Sequence, residues 1–260
     1  MLKRNENFPE HKQLICYDTT FNIGNHFLST ILAKNVELKD EPFFPICFFI
    51  HDRKRSEDHE TFLNFVFEND EKTKSKSKLK PNANVPVVTD REREFFNFFE
   101  TNSFTKNSHF CCTNHIKKNV ELWVRENLGW SEVKSYKDDV RKLVHLKSLK
   151  SYQERKKELE ENWKLAFTKY FDKHVDRDVR KNLEQDTKNF PVFIDKKITN
   201  NISEAFHSAI KRSFNAEKLV RTEHVLVTLF VYQVHLLQEF DLAFNHSGDY
   251  LLKPSVLNTV

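Results

Sequence analysis

Glycine is nearly missing, with 3 residues in 260. A phosphate cradle of the GxxxxGKS/T or GxGxxG type needs glycines that let backbone amides close on the phosphate, so nucleotide folds of that kind are excluded. Cysteine is scarce too. Cys16, Cys47, Cys111 and Cys112 are too few and too scattered for a disulfide scaffold, and their neighbours predict buried strands in a reducing compartment. Met1 to Asn7 contains no apolar core of a secretory signal. The most apolar stretch, Val225 to Leu237, holds Thr228, Gln233 and His235 and reads as too short to span a bilayer. Charge of one sign is not in excess either: a formal net charge of +4 neither indicates nor excludes a nucleic-acid partner. These absences predict a soluble, intracellular protein with no membrane partner.

What is present is a large potential core, 38% hydrophobic residues with 25 Phe among them, beside 31% charged residues suited to long exposed helices. Leu14 to Tyr17 is β-prone and ends at Asp18-Thr19-Thr20. A turn at Asn22 to Asn25, with Gly24 free to take positive φ, returns the chain as a strand over Phe27 to Leu32. Phe44 to Ile50 predicts a third, buried strand. Apolar spacing then changes to a helical period over Ser56 to Phe67, and the run Lys72 to Lys80 reads as a surface loop. Val85 to Val88 is a fourth strand with Asp90 just past it, Glu92 to Phe99 a helix, His109 to Cys112 a fifth strand, and Asn114 to Leu128 a helix.

Ser131 to Glu184 reads as helical throughout, expected to leave the sheet-bearing core rather than extend the sheet. Asn189-Phe190-Pro191 interrupts it, and helices over Asn201 to Arg212 and Thr222 to Phe244 follow. The expected class is α/β: a ribonuclease H-like mixed five-stranded sheet, three antiparallel strands then two parallel, with a large all-helical insertion. Residues 1–130 form the core, 131–190 the insertion, and 191–260 the C-terminal helices that complete the core. Fold does not establish chemistry.

Two carboxylates stand at the ends of strands that this topology makes neighbours, Asp18 and Asp90. Close carboxylates repel, and burying them is costly unless a cation neutralises them. Hard divalent ions suit all-oxygen donors, and a pair of them serves phosphodiester chemistry. Each residue also has a plain structural use. Asp18 can end a strand, while Asp90, or Thr89 with Glu92, can cap the next helix. Glu204, the candidate third carboxylate, sits in a capping box opened by Asn201. In that helix Ile202, Ala205, Phe206, Ala209 and Ile210 form the expected apolar face, and Glu204, Ser208 and Lys211 a polar stripe. Cys112-Thr113-Asn114-His115 is a C-x-x-H unit. Zinc wants a second such pair and none is evident, and a Cys112 nucleophile with His115 as base is the other chemical use. Glu154 and Glu158 read as a solvated helix face.

Four segments in order resemble the transposase domains of Mutator-like elements: Asp18 to Asn22, Pro86 to Asp90 before an aromatic helix, Cys112-x-x-His115 leading to Asn119-Val120, and Asn200 to Phe206. The resemblance spans roughly residues 11–215. It implies a DDE transposase core with Asp18, Asp90 and Glu204 as catalytic and metal-binding triad. Two Mg²⁺ or Mn²⁺ ions are implied as cofactors, with Cys112 and His115 as a family motif beside the site. It further implies transposon-end and target DNA as partners, homo-oligomer formation and a nuclear location. Ala205 and His207 depart from the family pattern, which has Ser and Asn there. Family members carry an N-terminal zinc-binding recognition module, and the expectation here is a chain without one. Lys117, Lys118, Lys211 and Arg212 are the candidate DNA-binding residues, which would hold phosphates without reading bases. A transposase-derived binding protein without catalysis is the alternative.

Overall fold

The computed structural model describes residues 14–23, 25–67, 85–101, 108–189, 199, 201–214 and 221–257. The lysine run 72–80, Gly24, Asn200 and the Phe190-Pro191 break lie outside the described residues. Five strands form one mixed sheet: β1 (Ile15–Ile23), β2 (His26–Lys34), β3 (Phe43–His51), β4 (Val87–Thr89) and β5 (His109–Cys111). Their order is β3-β2-β1-β4-β5. The first three are antiparallel, while β4 joins β1 and β5 joins β4 in parallel. The sheet is thus α/β and mixed, as the strand spacing predicts.

Alternation along β1 divides its side chains between two layers. Ile15 and Tyr17 face α1 (Ser56–Phe67) and α2 (Arg93–Thr101), packing with Ile31, Val87, Leu63 and Phe99. On that face Tyr17 Oη bonds His59 Nδ1 at 2.6 Å, and Ser29 Oγ links the Thr19 hydroxyl (2.8 Å) to His51 Nε2 (2.9 Å). Cys16 faces the other way and packs with Leu32, Val88, Phe110 and Cys112. Beyond them lie α8 (Asn201–Ser213) and α9 (Thr222–Phe244), where Ile210, Phe214 just past α8, Val225 and Leu229 form a core with Leu28.

Strand β3 is half-buried rather than buried, because it is the sheet edge and carries Pro45, which cannot donate to a ladder. The pairing with β2 shifts register beside this proline. The helix α9 also differs from the sequence reading. At 23 residues it is long and apolar enough, by length and composition, to cross a membrane. The flanking turns are helical and extend the apolar stretch, so the length argument against a span does not hold. In the fold, Val225, Leu229, Leu236 and Ala243 of α9 are buried against the rest of the chain.

Between β5 and α8 come α3 (Thr113–Asn127), α4 (Trp130–Val144), α5 (Leu149–Glu160), α6 (Leu165–His174) and α7 (Asp176–Asn189). Gly129 turns the chain from α3 into α4 at φ +102°, a conformation that side-chain-bearing residues rarely adopt. The five helices share a core of Val120, Tyr136, Tyr152, Phe167, Phe171 and Val179. The insertion adds no strand among the described residues, but it does not leave the sheet. Its last helix docks on the edge strand β5. There Asn182 Oδ1 accepts from Cys111 N–H (2.9 Å) and its Nδ2 donates to Cys111 C=O (2.8 Å). One side-chain amide thus replaces a missing neighbour strand and covers an edge that would otherwise be open.

Replacing Asn182 with Leu leaves both Cys111 backbone groups buried and unpaired. We expect a loss of about 2–4 kcal/mol in urea unfolding. A loss below about 0.5 kcal/mol would mean that the edge is satisfied in another way.

Candidate active site

Parallel pairing sets Tyr17 opposite Thr89 and Cys16 opposite Val88. The next residues, Asp18 and Asp90, therefore emerge side by side on the face that Cys16 and Val88 share. Asp18 is not at a strand end. It is the fourth of nine β1 residues and is paired with Thr30 of β2. Only β4 ends here, which opens the sheet next to Asp18. Each carboxylate is 5% exposed.

Local hydrogen bonds aim both groups. Asp18 Oδ1 accepts from Thr19 N–H at 3.0 Å, and Asp90 Oδ1 accepts from Glu92 N–H at 3.0 Å. In place of the cap expected on the next helix, Asp90 bonds to the N–H of Glu92, just before α2, and so serves the local turn and the site with one carboxylate. Thr89 does not cap; its hydroxyl donates to Asp90 C=O (2.7 Å) and meets His109 Nε2 (2.8 Å). Burial pushes the Asp90 carboxyl up to about 8, helped by the neighbouring charges of Glu92 and Asp18. The structure thus shows a carboxylate pair in want of positive charge.

Glu204 comes from α8 and lines the same cleft, whose volume is about 510 Å³. Its side chain is 52% exposed, and Oε1 lies 3.6 Å from His115 Nε2. Among the described residues no hydrogen bond returns from Glu204 to Asn201, so the capping box is not formed; Asn201 instead accepts from the Asn114 side chain. The three carboxylates expected from the sequence share one cleft. No group of three His, Cys, Asp or Glu side chains among the described residues is already gathered as a metal-holding set.

The C-x-x-H unit splits. Cys112 is fully buried with Cys16, Val88 and Phe110 and does not line the cleft. His115, one turn on, reaches the cleft, and its Nδ1 is buried without a hydrogen-bond partner. Lys118 lines the cleft, whereas Lys117 lines a neighbouring groove that Lys118 also borders. Lys211 and Arg212, in the last turn of α8, lie outside the cleft lining.

Sequence reasoning missed three members. His207 is buried, with Nδ1 3.5 Å from Asp18 Oδ2 and Nε2 3.1 Å from Thr30 Oγ1. It is there because α8 buries Ser203, His207 and Ile210; of the apolar face expected, Ile210 is buried and Phe206 half-buried, while Ile202, Ala205 and Ala209 are exposed. Glu92 brings a fourth carboxylate, ion-paired with Lys54. Arg91 lines the cleft and is held by Asp178 of α7, Nε to Oδ2 at 2.6 Å. The available signals were His207 three residues after Glu204 and the charged pair directly after Asp90. No protein-family model matches the chain, and no curated protein matches it.

The raised Asp90 value has a testable consequence. The folded protein keeps a proton there that the unfolded chain releases near the ordinary carboxylate range. The associated stability is therefore fully present below about pH 4 and is lost as pH rises through about 8. Asp90→Asn should remove this dependence. In urea unfolding the variant should gain on the metal-free parent by up to about 1.4 kcal/mol per pH unit between those values. Parallel pH profiles for the two proteins would contradict the burial argument.

Proposed function

We propose that this chain is the core of a metal-dependent phosphoryl-transfer enzyme of the ribonuclease H-like kind. Its reaction would be the cleavage and transfer of DNA strands, as in Mutator-like transposases. The observation that carries the reading is the buried pair Asp18 and Asp90, adjacent on one face at the β1–β4 junction, with Glu204 lining the same cleft. The sheet order, with three antiparallel strands followed by two parallel ones, supports the same assignment.

The donor set fits hard divalent ions. It offers oxygen from at least two carboxylates, and burial, helped by the charges of Glu92 and Asp18, raises the Asp90 carboxyl to about 8. Asp18 and Asp90 would hold Mg²⁺ or Mn²⁺, with Glu204 as the third donor once its carboxylate leaves His115. When bound, two such ions would lower the cost of charge on the attacking and leaving oxygens of a phosphodiester. The protein's own groups do the positioning. Glu92 N–H fixes the Asp90 carboxylate, His207, itself bonded to Thr30, sits against Asp18, and Lys118 supplies positive charge at the rim. The partners in this reading are transposon-end and target DNA, with a nuclear site of action and a second protomer for the paired ends.

One observation favours the non-catalytic alternative. His207, where the family pattern has Asn, sits against Asp18 and competes for the carboxylate that an ion would need. The two readings separate in one assay. The full chain is incubated with DNA and Mg²⁺ or Mn²⁺ beside Asp90→Asn. We expect metal-dependent strand cleavage that falls by about a hundredfold or more in the variant, some 2.7 kcal/mol of barrier. Cleavage that persists in Asp90→Asn would contradict the assignment, and binding without any cleavage would favour the alternative.

A further inference from the structure

The helices α3 and α4 pack through Val120, Val124, Tyr136 and Val140. Their outer sides converge on a groove of about 340 Å³ that shares Lys118 with the carboxylate cleft. On α4, Lys137, Arg141 and His145 recur every four residues and so lie on one side of the helix. On α3, Lys117 and Lys118 face them across the groove. Four cationic side chains line it against two carboxylates, Glu121 and Asp138. Glu121 is already neutralised by an ion pair with Lys137. Lys118 and Arg141 have no ion-pair partner among the described residues. The adjoining cleft is the opposite, with four carboxylates against Arg91 and Lys118.

We propose that the α3–α4 groove is the track for the nucleic-acid backbone flanking the bond held at Asp18 and Asp90. This rests on the reading of the cleft as a phosphoryl-transfer site, and it adds Lys137, Arg141 and His145 of the insertion to the binding surface. Charge complementarity gives the partner. A phosphodiester chain carries a negative charge at every step and gains from a cationic groove by releasing its counterions. An acidic polypeptide would meet the same groove but carries no phosphodiester for divalent ions at the adjoining cleft carboxylates to hold. Contacts of this sort position the backbone and read no bases, so the binding is sequence-independent.

The test is fluorescence-anisotropy binding of the full chain to a random-sequence DNA, without divalent ions, at about 50 and about 200 mM salt. Arg141→Glu and the double variant Lys137→Glu/Arg141→Glu are compared with the parent. Arg141 is exposed and has no ion pair, so the single variant keeps the fold, which thermal unfolding checks. We expect binding about tenfold weaker in the single variant and weaker still in the double. The slope of log affinity against log salt should fall by about one per removed contact. Binding within about twofold of the parent in both folded variants would overturn the proposal, as would equal competition by polyglutamate. If the parent cleaves DNA while the variants bind unchanged, the groove is wrong and the site reading stands. If the variants lose binding but the parent never cleaves, the groove stands and the cleavage reading falls.

Discussion

The register between β1 and β4 is the constraint on which the site depends. The strand β4 has three residues, and their pairing with Ile15, Cys16 and Tyr17 decides which way Asp90 points. A slip of one residue would send Asp90 to the opposite face, into the layer of Tyr17, Leu63 and Phe99. A carboxylate there would have no water and no ion. The observed register places Val87 in that apolar layer and Val88 in the other, so both valines are buried and the acid meets the cleft. The backbone bond from Ile15 N–H to Pro86 C=O holds this register at the start of the pairing, and Cys112 N–H to Thr89 C=O ties the end of β4 to the chain leaving β5. Asp18 follows from the same pairing.

The helical insertion secures that arrangement from the far edge. Besides the amide bridge of Asn182 to Cys111, α7 supplies Lys181 to Glu100 and Asp178 to Arg91. Glu100 in turn lies 2.9 Å from Nδ1 of buried His109, whose Nε2 meets the Thr89 hydroxyl. Burial lowers His109 to about 3, so the imidazole is neutral across the working range. Burial likewise lowers Lys181 to about 8. The residue after Asp90 is therefore tied to the insertion, and its backbone neighbours are tied to β5. The segment that looks most like an appendage in the sequence contributes to the aim of a cleft carboxylate.

Much of this was legible in the chain. Strand-like runs ending at Asp18 and Asp90, and a switch to helical spacing after Cys112, give the sheet and its neighbouring acids. The orientation of α8 was not legible. Ile202, Ala205 and Ala209 look like a core face, yet Ser203 and His207 are buried beside Ile210, and Thr30 and Asp18 offer His207 polar partners on the sheet. Burial driven by a partner from another element leaves no periodic trace. The same holds for Asn182 and Asp178, whose neighbours are 71 and 87 residues away in sequence. The C-x-x-H unit shows the converse: one motif in sequence, but Cys112 belongs to the core and His115 to the cleft, because a strand ends between layers there.

The central claim is that Asp18 and Asp90 form a divalent-ion site. Anomalous diffraction from crystals soaked in Mn²⁺ tests it most directly. The account predicts manganese peaks between the Asp18 and Asp90 carboxylates, with Asp18 drawn away from His207 and Glu204 turned from His115 into the cleft. A structure in which Asp18 stays on His207 and no manganese lies within coordinating distance of Asp90 would contradict it.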